Sequence, residues 1–177
     1  MFFNVSQLMR EPNGSHRTSE VDEALSLAEE GSSVRVSGRV EMLRTDRGIW
    51  VTAALDTAVP CTCSRCLIEF EQPIHMAIEE EYFPLVDVAT GTRLDRSDNH
   101  ANDHEGFFID SNHILDLSDA VTQYSALSTP MKPVCKESCS GICSKCGTDL
   151  NLGECICDGL QTDRRWAALL EHTQSGD

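Results

Sequence analysis

Six cysteines crowd one stretch in the pattern Cys135-x3-Cys139-x3-Cys143-x2-Cys146-x8-Cys155-x-Cys157, and two more stand upstream as Cys63 and Cys66. Thiolates at these spacings converge on one tetrahedral ion more readily than they build a core. Zinc takes four sulfur ligands at about 2.3 Å each. A Cys-x2-Cys turn lets two thiolates share that ion while main-chain N–H groups point at the sulfurs. Cys143-Ser144-Lys145-Cys146 is such a turn, and Gly147 behind it tolerates the positive φ of a tight reversal.

The simplest site is Cys143, Cys146, Cys155 and Cys157, two close pairs separated by a loop of eight residues. Cys63, Cys66, Cys135 and Cys139 are then left over. Four leftover thiols suggest a second site that ties the upstream region to the tail. Two other arrangements stay open. Cys135, Cys139, Cys143 and Cys146 could form one site, leaving Cys155 and Cys157 free, or Cys63 and Cys66 could be small buried core residues. The expected cofactor is therefore structural zinc, one ion or two, with an iron–sulfur cluster as the rival. A zinc closed by four sulfurs leaves no position for water, which argues against hydrolytic zinc catalysis.

Nine cysteines could also form disulfides. The first residues lack a basic stretch and a long apolar run, so no secretory signal is expected. The expected location is cytoplasmic, where thiols serve metals or redox chemistry. No run of about 18 apolar residues suggests a membrane span.

The net charge is −15 over 177 residues, and it is uneven. Residues 69–119 hold thirteen acids against Arg93 and Arg96, whereas 33–65 is net positive through Arg35, Arg39, Arg44, Arg47 and Arg65. Lys132, Lys136 and Lys145 give the tail a basic edge. With Arg65 they are the candidate partner-binding residues. An acidic protein repels a phosphate backbone at long range, so a basic protein partner is easier to justify than non-specific nucleic-acid binding.

The positioning elements follow from periodicity. The opening residues are extended up to a turn at Pro12-Asn13-Gly14-Ser15. Residues 19–30 are expected to form a short helix, capped by Ser19, with Val21, Ala24, Leu25 and Ala28 on one face and Gly31 at its end. Val34–Met42 alternates as a half-buried strand, Asp46-Arg47-Gly48 turns, and Ile49–Leu55 is a second strand. Val59–Cys63 and Ile74–Phe83 add a third and a fourth, in an antiparallel meander. Residues 84–106 have little to bury and read as an acidic, mobile loop. Phe107–Ile109 returns as a strand. Asp116–Leu127 is a helix, capped by Asp116 or Ser118, with Leu117, Ala120, Val121, Tyr124 and Leu127 on one face; Pro130 stops it. A last helix opens at Thr162 and carries Trp166, Leu169 and Leu170. Trp50 and Trp166 are expected as core anchors. His100 and His104 read as solvated loop residues, and Glu79-Glu80-Glu81 as a solvated strand edge or an attraction site for a basic partner. No catalytic constellation stands out, so the chain is not expected to be an enzyme.

These pieces, in this order, resemble the YceD family of large-ribosomal-RNA-subunit accumulation proteins. Phe3-Asn4-Val5-Ser6-Gln7-Leu8 and Pro12-Asn13-Gly14 resemble the family's opening strand and turn. Cys63-Ser64-Arg65-Cys66-Leu67 resembles its Cys-x-Arg-Cys-Leu signature. Ile114-Leu115-Asp116-Leu117 resembles the junction before its helix. The run from Cys135 through Asn151, closing with Cys155-Ile156-Cys157, resembles its metal-binding tail. Cys61 is a departure, an extra thiol just before the signature. The resemblance implies a role in accumulation or processing of large-subunit (23S) rRNA, with no established reaction.

The sequence therefore predicts an α+β protein. Residues 1–129 form a mainly antiparallel, curled or barrel-like β domain with the acidic loop 84–106 and a connecting helix 116–127. Residues 130–177 form a cysteine-rich zinc-binding tail with a short C-terminal helix. The expected function is that of a non-enzymatic accessory factor in ribosome biogenesis that binds a ribosomal protein, a processing factor or rRNA. A zinc-thiolate redox sensor, motivated by spare thiols such as Cys61, and an rRNA-processing enzyme are the alternatives.

Overall fold

The computed structural model describes residues 1–26, 33–94, 106–153, 155–157 and 165. Seven strands form one curled half-barrel sheet: β1 (Phe2–Asn4), β2 (His16–Ser26), β3 (Ser33–Arg44), β4 (Ile49–Thr62), β5 (Glu69–Pro84), β6 (Phe107–Ile109) and β7 (Ile114–Asp116). Their order is β1-β7-β6-β5-β4-β3-β2. All neighbours are antiparallel except β5 and β6. One helix, α1 (Ser118–Ser128), lies against β5.

Alternation sets the inner face. Val36, Val40 and Met42 of β3, Ile49, Val51, Ala53 and Leu55 of β4, and Ile74, Met76 and Ile78 of β5 are buried in one core. Ala120 and Val121 of α1 close it from above. Gly38 allows the curl. A Cβ there would lie 2.1 Å from the carbonyl oxygen of Ala54 and 2.9 Å from the Leu55 Cα, so only glycine lets β3 approach β4 this closely.

Four expectations are corrected. The helix expected over 19–30 is instead β2, paired with β3 from His16↔Leu43 to Ser26↔Ser33; residues 27–30 lie outside the described ones. Val21 and Leu25, four apart, suit one helix face, but an even spacing also suits one face of a strand. Pairing with a long hydrophobic neighbour outweighs the helix propensity of a Glu/Ala/Leu-rich segment. The second and third strands are one continuous β4, which pairs with β5 without a break from Ile49↔Tyr82 to Thr62↔Glu69. Trp50 is exposed on the outer face, since Ile49 and Val51 occupy the inner one. Leu127 is 79% exposed in the last turn of α1, off the face that buries Ala120, Val121 and Ser125. The helix starts at Ser118, whose N–H donates to Asp116 Oδ1 at 2.9 Å.

The segment after β5 folds back on itself as far as Leu94. The Leu85 N–H donates to Ile109 O, the Leu94 N–H to Leu85 O, and Val86 bridges to Arg93. The remainder of the acidic loop, including His100 and His104, lies outside the described residues, as does the expected helix from Thr162 apart from Arg165. Among the described residues, no helix is long and apolar enough to cross a membrane.

Candidate metal centres

The β4–β5 connection is the turn Cys63-Ser64-Arg65-Cys66-Leu67. Two hydrogen bonds close it: the Leu67 N–H donates to Cys63 O at 3.0 Å, and the Cys63 N–H to Ile68 O at 2.8 Å. In the tail, Cys143-Ser144-Lys145-Cys146-Gly147 repeats the arrangement, with Gly147 N–H to Cys143 O at 2.9 Å and Cys143 N–H to Thr148 O at 2.8 Å. The residue after the second cysteine has positive φ in both turns, 74° at Gly147 and 62° at Leu67. The two turns are the same knuckle. A leucine in the left-handed region costs about 1–2 kcal/mol.

Each knuckle meets a second pair of thiols. Cys63 and Cys66 face Cys135 and Cys139; Cys143 and Cys146 face Cys155 and Cys157. Within each set of four, all sulfurs lie within 4.8 Å of one another. Cys63 Sγ is 3.9 Å from Cys139 Sγ, and Cys66 Sγ is 3.6 Å from Cys135 Sγ. Four sulfurs about 2.3 Å from a central ion stand about 3.8 Å apart, so these separations fit a tetrahedral metal. The open alternative that joined Cys135 and Cys139 to Cys143 and Cys146 is not the arrangement found. The chain divides those four between the two tetrads. Both tetrads could hold a metal ion.

Their surroundings differ. In the first tetrad Cys63, Cys66 and Cys139 are buried and form a small core with Phe70 and Val134. In the second, Cys146 is exposed and the other three are half-buried. The electrostatics run in parallel. The Cys66 N–H, helped by other main-chain donors, brings the Cys63 thiol down to about 6. The Cys146 and Lys145 N–H groups do the same for Cys143, also to about 6. Burial and the neighbouring sulfurs push Cys135 up to about 12. Hydrogen bonding with Cys146, then burial, takes Cys157 up to about 12. Cys139, against its burial, is lowered by the Gly141 N–H and Asn151, and Cys146 by Thr148, so each tetrad favours thiolate at two positions and resists a full set of four. A divalent cation removes that resistance, as expected for a thiolate metal site.

Sequence reasoning missed three contributors. Asn151 donates to Cys139 Sγ at 3.5 Å and accepts from the Ser140 N–H at 2.9 Å. Thr148 Oγ1 lies 3.1 Å from Cys146 Sγ. Leu67 holds the positive-φ position of the first knuckle. Only an asparagine and a threonine placed a few residues behind Cys146 could have signalled the first two. The candidate binding residues scatter. Lys132 and Lys136 line a groove of about 410 Å³ beside the buried tetrad, together with Phe70, Pro73 and Val134. Lys145 sits inside the second knuckle. Arg65 turns its guanidinium toward the tail, donating to Glu137 O and Cys139 O. Cys61 is half-buried on β4, outside both tetrads.

"Uncharacterized protein Rv2926c" of Mycobacterium tuberculosis and "Uncharacterized protein Mb2951c" of Mycobacterium bovis are each 26% identical over 178 residues, covering 97% of this chain and 80% of the relative. "Uncharacterized protein ML1660" of Mycobacterium leprae is 23% identical over 127 residues, covering 71% of this chain and 53% of the relative. No solved structure matches. The family model described as "Large ribosomal RNA subunit accumulation protein YceD" matches residues 51–171, a span that holds both knuckles and all eight clustered cysteines. The chain belongs to the YceD family.

Proposed function

We propose that the protein is a non-enzymatic accessory factor for accumulation of large-subunit (23S) rRNA, built around two structural zinc ions. The observation that carries this reading is the pair of closed cysteine tetrads inside the span matched by the family. Four sulfurs per ion leave no open coordination position, which suits bracing rather than hydrolysis. Cys63, Cys66, Cys135 and Cys139 would fix the tail against the end of the β4–β5 hairpin. Cys143, Cys146, Cys155 and Cys157 would shape the tail itself. The braced surface presents Lys132 and Lys136, while the net charge of −15 favours a basic partner such as a ribosomal protein or a processing factor over bare RNA.

The test is genetic and biochemical together. Cells lacking the protein should show a lowered ratio of 23S to 16S rRNA, restored by the natural chain and not by a Cys63→Ser/Cys66→Ser variant. Affinity capture at low salt should recover large-subunit components. An unchanged rRNA ratio with no ribosomal component captured would refute the reading. RNA cleavage by the purified protein that disappears in a point mutant would move it to an enzyme.

A further inference from the structure

Arg65 stands between the two cysteines of the first knuckle, where its N–H faces the Cys63 sulfur, yet its side chain reaches the tail. Its Nη1 donates to the main-chain carbonyls of Glu137 at 3.1 Å and of Cys139 at 3.0 Å. Its own carbonyl accepts the Ile142 N–H at 3.2 Å. Ser64 grips the other side of the same loop: its N–H and its hydroxyl reach Pro133 O at 2.8 and 3.0 Å. Gly141 completes the fit, since a Cβ there would lie 3.1 Å from the Arg65 carbonyl oxygen. These contacts join segments about 70 residues apart in sequence without involving any sulfur.

We propose that Arg65 is the positioning residue of the buried tetrad. Its two-point hold on Glu137 and Cys139 seats the Cys135–Cys139 loop against the Cys63–Cys66 knuckle, so the four thiols are gathered before an ion arrives. This rests on the tetrad being a metal site and adds how that site is assembled. An ion entering a gathered site does not bear the cost of ordering the loop, and groups that orient metal ligands are commonly worth 10–100-fold in affinity. The receiving groups are neutral carbonyls, so the hold is directional hydrogen bonding rather than long-range attraction of a cation by thiolates. Salt screens the second far more than the first.

The experiment uses the full chain with the second tetrad silenced by Cys143→Ser and Cys146→Ser. Cobalt(II) is titrated in, its thiolate absorption followed, and zinc affinity obtained by competition with a chelator at 0.1 and 0.5 M salt. Arg65→Ala should keep the cobalt spectrum of four sulfurs and weaken affinity about 10–100-fold at both salt concentrations. Arg65→Lys should recover part of the loss. Circular dichroism of the sheet should stay unchanged in every variant; if Arg65→Ala disrupts it, Arg65→Lys carries the test. A parent that binds neither metal overturns the metal reading and this inference with it. A parent that binds, with Arg65 variants within twofold of it, overturns this inference alone. A loss seen at 0.1 M salt and abolished at 0.5 M also overturns it, since charge and not the hold would then be at work.

Discussion

Removing one ligand from each tetrad should have very different effects on the sheet. Cys66 and Cys135 are 69 residues apart, and the chain between them contains β5, β6, β7 and α1. An ion held by the first tetrad closes that loop only in the folded chain, because the site does not exist in the unfolded one. Its binding therefore adds to stability by mass action, about 4 kcal/mol with free zinc at about 1,000 times the Kd. For a chain of this size, 1 kcal/mol moves the unfolding midpoint by about 2–4 °C. Cys66→Ser in the zinc-loaded protein should therefore lower the midpoint by about 10 °C, read by far-UV circular dichroism of the strands. Cys146 and Cys155 enclose a short loop wholly within the tail, so Cys146→Ser should leave the sheet within about 0.5 kcal/mol of its parent. Metal analysis should show one ion lost in each variant. Equal shifts for the two variants would refute the reasoning, as would a Cys66→Ser midpoint within about 2 °C of the parent.

Gly38→Ala would drive a methyl group into the Ala54 carbonyl, 2.1 Å away, and should cost about 3 kcal/mol or more in urea unfolding; a loss under about 1 kcal/mol would mean that β3 and β4 are not so closely crossed. The Tyr82 hydroxyl is buried with no hydrogen-bond partner among the described residues, and burial drives its pKa well upward. Tyr82→Phe removes that orphan while keeping the stack on Phe107, so stability should be unchanged or higher by up to about 1 kcal/mol; a loss larger than that would reveal a partner. Cys146 is exposed while the first tetrad is mostly buried, so limited peroxide should release the tail ion first and leave the sheet spectrum intact. Release of both ions together with loss of the sheet would contradict the difference in access.

The two cysteine tetrads were the part of the fold most legible in the sequence. Ligand spacing is a local property, and a Cys-x2-Cys turn carries its own geometry. The pairing of the Cys63 knuckle with Cys135 and Cys139 was legible only by elimination, because no local rule brings those segments together; Ser64, Arg65 and Gly141 do so through main-chain contacts. The alternating strands β3 and the first half of β4 were readable because one face is apolar and the other polar. By the same alternation Trp50 had to face outward, although its size suggested the core. β2 was hidden by an ambiguity of spacing, since residues four apart share a face in a helix and in a strand. β4 runs unbroken through Asp56 and Pro60, a charged residue and a proline between two apolar stretches. In the sheet Asp56 faces outward, and Pro60 sits near the end of the strand in register with Glu71.

Native mass spectrometry of anaerobically purified protein, with metal analysis on the same sample, tests most directly whether one chain closes two metal sites. Two zinc ions per chain are expected. The Cys63→Ser/Cys66→Ser and Cys143→Ser/Cys146→Ser variants should each retain one. Iron, or a chain whose clustered cysteines carry no metal, would contradict that expectation.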